Sequence, residues 1–118
     1  MARLSTHVLD TSRGKPAQGL AIDLHFGDLH FGAKLIKSAV TNVDGRTDEP
    51  LVSADRLETG VYELTFNAGD YFRAAGVELA DPPFLDLVVV RFGVADPAGN
   101  YHVPLLLSPY GYSTYRGS

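Results

Sequence analysis

Short apolar runs rich in Val, Leu, Phe and Tyr recur along this 118-residue chain, separated by clusters of Gly, Pro, Asn and Asp. Runs of this length and spacing are typical of the strands of an all-β sandwich. A chain of this size buries roughly two-thirds of the surface that it exposes when unfolded, so we expect one domain over 1–118. The pattern predicts about seven or eight strands, over 4–10, 20–26, 33–41, 60–67, 84–92, 101–107 and 112–116.

The clearest strand leads into the one predicted helix. In 60–67, alternation is expected to point Tyr62, Leu64 and Phe66 inward. Asn67 then suits the N-cap of a helix over 68–75, and Gly76 follows where positive φ is usual. We therefore predict an all-β fold with one short helix.

Two proline-containing segments predict where their strands lie in the sheets. After Asp81-Pro82-Pro83, the dense Leu and Val content of 84–92 predicts a central and mostly buried strand. Pro104 has no amide hydrogen, so its strand is expected to lie at a sheet edge or to carry a bulge.

Composition narrows the classes of function. The chain has no Cys, which excludes disulfide and thiolate chemistry and fits a reducing compartment. With 10 Lys and Arg against 14 Asp and Glu, a nucleic-acid partner is not expected, because phosphate binding needs a basic face. No leader-like or membrane-length apolar run occurs, so we expect no membrane association and a cytoplasmic location. The partner is expected to be a small molecule or another copy of the chain.

Histidines on two strands are the first candidate chemical groups. Alternation places His7 on one face with Ser5, and His102 on one face with Pro104. The ordinary pKa of histidine, about 6.5, suits proton transfer near neutrality. A lone histidine on a strand is nevertheless more typical of a surface or structural residue.

Other polar residues carry weaker signals. Arg46 directly follows the Asp44-Gly45 turn, where an arginine is typically solvated, and His25 and His30 are also expected to be solvated. No metal-ligand spacing occurs, so neither a metal nor a cofactor is expected. No serine lies in a Gly-x-Ser-x-Gly elbow, which disfavours a serine nucleophile.

Motifs along nearly the whole chain resemble one known family. They lie at 6–11 (Thr-His-Val-Leu-Asp-Thr), 41–46 (Thr-Asn-Val-Asp-Gly-Arg), 60–62, 69–72 and 101–118. On these motifs the chain resembles the transthyretin-like (prealbumin-like) family. Its closing tetrapeptide, Tyr115–Ser118, is similar to that of the enzymatic branch, the 5-hydroxyisourate hydrolases, and transthyretin proper lacks it.

The resemblance implies a transthyretin-like sandwich that hydrolyses 5-hydroxyisourate, an oxidised purine, during urate degradation in purine metabolism. It also implies a homotetramer, a dimer of dimers with sites at the dimer–dimer interface. On the same resemblance the catalytic residues are His7, Arg46, His102 and Ser118, and the substrate-binding residues are His7, Arg46, Tyr115 and Arg116.

Three alternatives stay open. The chain could be a small-ligand carrier of the transthyretin type, which would be expected to lack His7, Arg46, His102 and the closing tetrapeptide. It could be a structural β-sandwich module, in which case the matching polar residues are coincidental. It could also be an enzyme of the same fold with a shifted substrate, and 26–32 and 47–58 are the segments where such a difference is expected.

Overall fold

The fold, seen in a computed structural model that describes residues 1–27 and 32–118, is the predicted β-sandwich with one short helix. Nine strands lie within the described residues, two more than the ranges delimited above, because β2 and β5 are too short to stand out in the sequence. The strands are β1 (Ala2–Asp10), β2 (Lys15–Pro16), β3 (Ala21–Phe26), β4 (Lys34–Val40), β5 (Val52–Ala54), β6 (Gly60–Asn67), β7 (Leu87–Val94), β8 (Asn100–Ser108) and β9 (Gly111–Thr114), and the helix is α1 (Ala68–Ala74).

The strands form two sheets that pack face to face. The first sheet has the order β2-β1-β8-β9, with β5 also paired to β1, and the second has the order β4-β3-β6-β7. β1 and β8 run parallel, with Ser5 opposite His102 and His7 opposite Pro104, while the other strand pairs are antiparallel. Because parallel neighbours cannot be joined by a hairpin, this pair brings distant parts of the chain side by side.

The core lies between the sheets, as the alternation predicts. Tyr62, Leu64 and Phe66 are inward and at most 2% exposed, which confirms the prediction for β6. In β1 the even-numbered residues from Ala2 to Asp10 are buried, whereas Ser5, His7 and Leu9 are half-buried on the outward face. Both candidate histidines therefore lie on the outer surface of the first sheet, and the core carries none of the predicted chemistry.

The helix begins and ends close to the predicted residues. The side chain of Asn67 accepts a hydrogen bond from the amide of Asp70 and so caps the first turn. Gly76 has a φ of +84° just past the last turn, as expected for a residue that ends a helix.

A buried carboxylate ties this helix to the first sheet. Asp10 at the end of β1 is fully buried, and the Tyr71 hydroxyl donates to its Oδ2 at 2.7 Å. The Nε of Arg13 lies 3.5 Å from the same oxygen, and the backbone amide of Arg13 donates to Oδ1 of Asp10. Burial and the Asp10 carboxylate together raise the pKa of Tyr71 to about 12.

The prediction of a central, mostly buried strand at 84–92 is wrong. The strand is β7, which begins at Leu87 and, among residues 1–27 and 32–118, pairs only with β6, so it forms an edge of the second sheet. Val88 and Val90 are buried, while Leu87 and Val89 are 58% and 42% exposed. A run of apolar β-branched residues favours a strand in either position, and only pairing with the neighbouring strand decides whether it lies at an edge.

The position of Pro104 also differs from the prediction. β8 lies inside the first sheet, between β1 and β9, and no register shift interrupts its pairing with either strand. The ladder with β9 begins at Leu105, and the carbonyl of Pro104 accepts from the Thr114 hydroxyl at 2.7 Å. In a strand the nitrogen and the carbonyl of one residue point to the same side, so the nitrogen of Pro104 also faces β9. It lies beyond the end of the β8–β9 ladder, where no amide hydrogen is needed, and the missing donor is therefore tolerated.

Candidate active site

An open pocket of about 380 Å³ on the outward side of the first sheet contains three of the predicted catalytic side chains. Arg46, His102 and Ser118 line it together, although they come from the 42–46 turn, from β8 and from the end of the chain. The other lining residues are Arg3, Ser5, Asn100 and Tyr101.

The turn that carries Arg46 is bonded directly to β1. His7 and Arg46 form an isolated antiparallel bridge, and the amide of Val8 donates to the carbonyl of Gly45 at 2.8 Å. Within the turn, the side-chain oxygen of Asn42 accepts from the amide of Arg46 at 3.2 Å. These bonds hold Arg46 beside His7.

The fourth predicted catalytic residue, His7, lies beside the pocket and has a defined hydrogen bond. Its Nε2 is 2.8 Å from the carbonyl oxygen of Asp44. A carbonyl oxygen can only accept, so Nε2 carries the hydrogen, and the lone pair of the neutral ring is on Nδ1.

His102 lies close enough to two other basic groups for them to change its titration. Its pKa is lowered from 6.5, first by partial burial and then by the charges of Arg46 and His7. Its Nδ1 is 2.9 Å from the hydroxyl of Ser5. Near neutral pH the ring is therefore an uncharged imidazole.

The closing tetrapeptide folds back against β8. The amide of Gly117 donates to the carbonyl of His102 at 2.7 Å, which forms an isolated bridge just after β9 ends. This bond brings Ser118 to the wall of the pocket beside the His102 ring.

Tyr115 and Arg116, the other two predicted substrate-binding residues, line a different pocket between β7 and the end of β9. The guanidinium of Arg116 lies 4.2 Å from the centre of the Tyr101 ring, and its Nη2 donates to the carbonyl of Asn100 at 3.4 Å. Tyr101 lines both pockets, whereas Arg116 lines only the one beside β7.

The expectation that His25 is solvated is wrong. It is half-buried in β3 beside a bulge in the pairing with β4, and its Nδ1 is buried without a hydrogen-bond partner. His30 and the predicted turn residues Asp28 and Leu29 lie outside the described residues. Across 1–27 and 32–118, no three His, Asp or Glu side chains converge in a way that could hold a metal ion. The one helix in this part of the chain is too short to cross a membrane.

Sequence reasoning did not assign Ser5, Arg3 or Asn100 to the site. Strand alternation placed Ser5 on the face of His7, which was a usable signal. What it could not supply was the parallel β1–β8 register, which sets Ser5 opposite His102.

Comparison with known proteins shows which family has this fold and this set of site residues. The HIUase/Transthyretin family profile matches residues 4–117, and the chain belongs to this family. The 5-hydroxyisourate hydrolase 2 of Rhizobium meliloti is 62% identical over 98% of this chain and 96% of its own length. The 5-hydroxyisourate hydrolase of Ralstonia nicotianae is 57% identical over the full length of both chains.

Solved structures confirm the transthyretin-like sandwich. The Klebsiella pneumoniae 5-hydroxyisourate hydrolase superposes with a TM-score of 0.82 at 35% identity over all of both chains. Sea bream transthyretin in complex with thyroxine superposes with a TM-score of 0.83 at 29% identity, over 98% of this chain and 94% of that one. An (S)-allantoin synthase superposes with a TM-score of 0.90 at 44% identity, over 99% of this chain and 44% of that one.

Proposed function

We propose that this protein is a 5-hydroxyisourate hydrolase of urate degradation that acts as a single domain. It would open the six-membered ring at the amide between N1 and C6 and release 2-oxo-4-hydroxy-4-carboxy-5-ureidoimidazoline. The observation that carries this proposal is the convergence of Arg46, His102 and Ser118 on one pocket with His7 beside it, in a chain whose full-length relatives are named for this activity.

In the proposed mechanism His7 is the general base. It would take a proton from water through the free Nδ1, since its Nε2 is engaged by the Asp44 carbonyl. The water oxygen then bonds to C6, the N1–C6 bond breaks, and N1 takes up a proton. His102 would orient the water or deliver that proton. Full turnover in His7→Asn with none in His102→Asn would contradict this assignment of the base.

Arg46 is the proposed substrate clamp. Its guanidinium is solvent-exposed at the pocket wall, and a planar fork matches the paired oxygens of an oxidised purine. The same group would stabilise the oxyanion that develops at C6. General acid–base catalysis contributes about 10²–10⁴-fold and one oxyanion donor about 10²–10³-fold, which is enough for an activated cyclic amide.

The closing tetrapeptide has two proposed roles. Ser118 would position substrate and water from the pocket wall. Tyr115 and Arg116 would contact substrate only if it reached the neighbouring pocket, and the stacking of Arg116 on Tyr101 supports an additional anchoring role for that arginine.

We also propose a homotetramer, a dimer of dimers with the sites at the dimer–dimer interface. In one subunit the candidate site is open on the outward face of the first sheet, and the half-buried leucines Leu9 and Leu106 pair further along β1 and β8 on the same face. A facing copy would cover these leucines and exclude water from the site. We place the enzyme in the cytoplasm, which the absence of Cys fits.

An ultraviolet assay tests the proposed activity. Urate oxidase converts urate to 5-hydroxyisourate, and the decay of this intermediate is followed with and without the protein. We expect rapid decay that is lost in Arg46→Ala and in a variant lacking residues 115–118. Arg56→Ala, which removes an exposed arginine outside the pocket, is the matched control and should keep full activity. Decay no faster than the spontaneous rate, from folded protein, would contradict the proposal.

The alternative is a small-ligand carrier, which the similarity to a thyroxine-bound transthyretin supports. A carrier needs no imidazole pair beside an arginine. Thyroxine binding that persists in Arg46→Ala, with no hydrolysis by the native protein, would favour this alternative.

A further inference from the structure

Ser5 and His102 are register partners in the parallel β1–β8 pair. Both side chains lie on the outward face, and the Ser5 hydroxyl is 2.9 Å from Nδ1 of the His102 ring. Within the part of the chain that the structure describes, neither group makes another side-chain hydrogen bond. The ring is thus held at Nδ1 by a residue 97 positions away in the sequence.

The opposite edge of the ring is confined by the backbone of Gly117. A Cβ built at position 117 would lie only 2.7 Å from Cδ2 of His102, so the glycine backbone approaches the ring closely. Nδ1 and Cδ2 are the two ring atoms bonded to Cγ, so the Ser5 hydroxyl and the Gly117 backbone flank this end of the ring. His102 lines the pocket together with Arg46 and Ser118, and the distal edge of its ring, which includes Nε2, is the part that neither Ser5 nor Gly117 occupies.

We propose that Ser5 is a positioning residue that holds the His102 ring through Nδ1, so that Nε2 is the atom presented to the substrate. The kinetic test of this proposal rests on the proposed function, whereas the NMR test does not.

A hydroxyl partner suits a histidine that must both donate and accept. When Ser5 donates to Nδ1, the ring hydrogen is on Nε2, which can then donate to substrate or water. When Ser5 accepts from Nδ1–H, Nε2 is a lone-pair acceptor instead. His7 differs in this respect, because the Asp44 carbonyl permits only one neutral tautomer. The Ser5 contact therefore lets His102 change proton state without rotating the ring.

Kinetics of three variants provide the first test. Ser5→Ala removes the hydroxyl, and Ser5→Thr retains it. Ser38→Ala is the matched control, because it removes a 2.6 Å serine hydrogen bond to Asp23 on the other sheet. We expect Ser5→Ala to lower kcat roughly fivefold to tenfold with little change in KM, as for loss of one orienting hydrogen bond. Ser5→Thr should recover most of the rate, and Ser38→Ala should match the native protein.

Long-range ¹H–¹⁵N NMR of the imidazole nitrogens provides the second test and requires no turnover. In Ser5→Ala we expect the His102 ¹⁵N shifts to move towards the tautomer mixture of a free imidazole, while those of His7 stay unchanged. Unchanged His102 shifts would overturn the proposal whatever the activity. If the native protein does not hydrolyse 5-hydroxyisourate, the proposed function fails, and the NMR result still decides whether Ser5 holds His102.

Discussion

His7 and Arg46 face each other across an antiparallel backbone bridge, which connects the middle of β1 to a turn that begins after β4 has ended. Gly45 makes this approach possible. Its φ is +74°, and a side chain there would overlap the carbonyl oxygen of Val8. The position of the proposed substrate clamp thus depends on a residue without a side chain.

Gly45→Ala should therefore destabilise the fold and displace Arg46. Gly14→Ala is the matched control, because Gly14 has a similar φ of +67° but open space where its Cβ would lie. Both variants carry the backbone strain, and only Gly45→Ala adds the steric overlap. We expect Gly45→Ala to lose about 1–3 kcal/mol more of the free energy of unfolding than Gly14→Ala. Urea denaturation at one protein concentration measures this difference, and equal losses would contradict it.

Gly117→Ala should impair catalysis more than folding. The added methyl group would push against Cδ2 of His102 and tilt the ring, and a displacement near 1 Å can cost about 10²-fold in rate. Gly111→Ala serves as the control, since its Cβ would meet nothing closer than Ser108 Oγ at 3.8 Å. The prediction is wrong if kcat of Gly117→Ala equals that of Gly111→Ala while both are folded.

His102 should titrate below 6.5, because burial and the charges of Arg46 and His7 disfavour its protonated form. Its contribution to stability is then complete above 6.5 and is lost as the pH falls through the lower folded-state pKa. The charged groups near it are Arg46, His7 and Arg3. Arg46→Ala should raise the pKa of His102 towards 6.5, and following the ring proton by NMR across pH 4–8 measures it without an activity assay. A pKa that stays unchanged would exclude Arg46 as a cause.

Tyr71→Phe should destabilise the protein by about 1–3 kcal/mol, because it leaves one oxygen of the buried Asp10 carboxylate without its hydroxyl donor. Tyr110→Phe removes a hydroxyl from a ring that is 71% exposed and should be neutral. Chemical denaturation at a fixed protein concentration compares the two. In the native protein, absorbance at alkaline pH should show one tyrosine ionising near pH 12. Similar stabilities of the two variants would argue against the Asp10–Tyr71 anchor.

Leu106→Glu should disrupt the proposed tetramer. It places a charge on the outward face of β8, further along the strand than His102, and a facing subunit would have to bury that charge. Sedimentation velocity should show a smaller species, with a parallel loss of hydrolysis. Leu35→Glu changes an exposed leucine on β4 of the second sheet and should leave the assembly intact. A stable monomer for the native protein at micromolar concentration would count against the shared site.

The features that could be predicted from the sequence are those that depend on residues close to one another in the chain. Alternation defined β6 and its inward residues Tyr62, Leu64 and Phe66, and the side chain of Asn67 specified where α1 begins. These features depend on neighbours within a few residues. The family motifs also supplied His7, Arg46 and His102 as candidate site residues before any geometry was known.

Contacts between distant segments decided the rest. Whether the valine-rich strand β7 lies inside a sheet or at its edge depends on which strands pair beside it, and composition carries no information about that. The same holds for Pro104 and for the assignment of Ser5 to His102. That assignment needs the parallel register of two strands from opposite ends of the chain. Local periodicity and residue type were enough to predict seven of the nine strands and the helix, whereas the candidate site residues came only from the resemblance to a family. Which side chains share a pocket became clear from the fold, because backbone pairing over long sequence separation sets the distances between them.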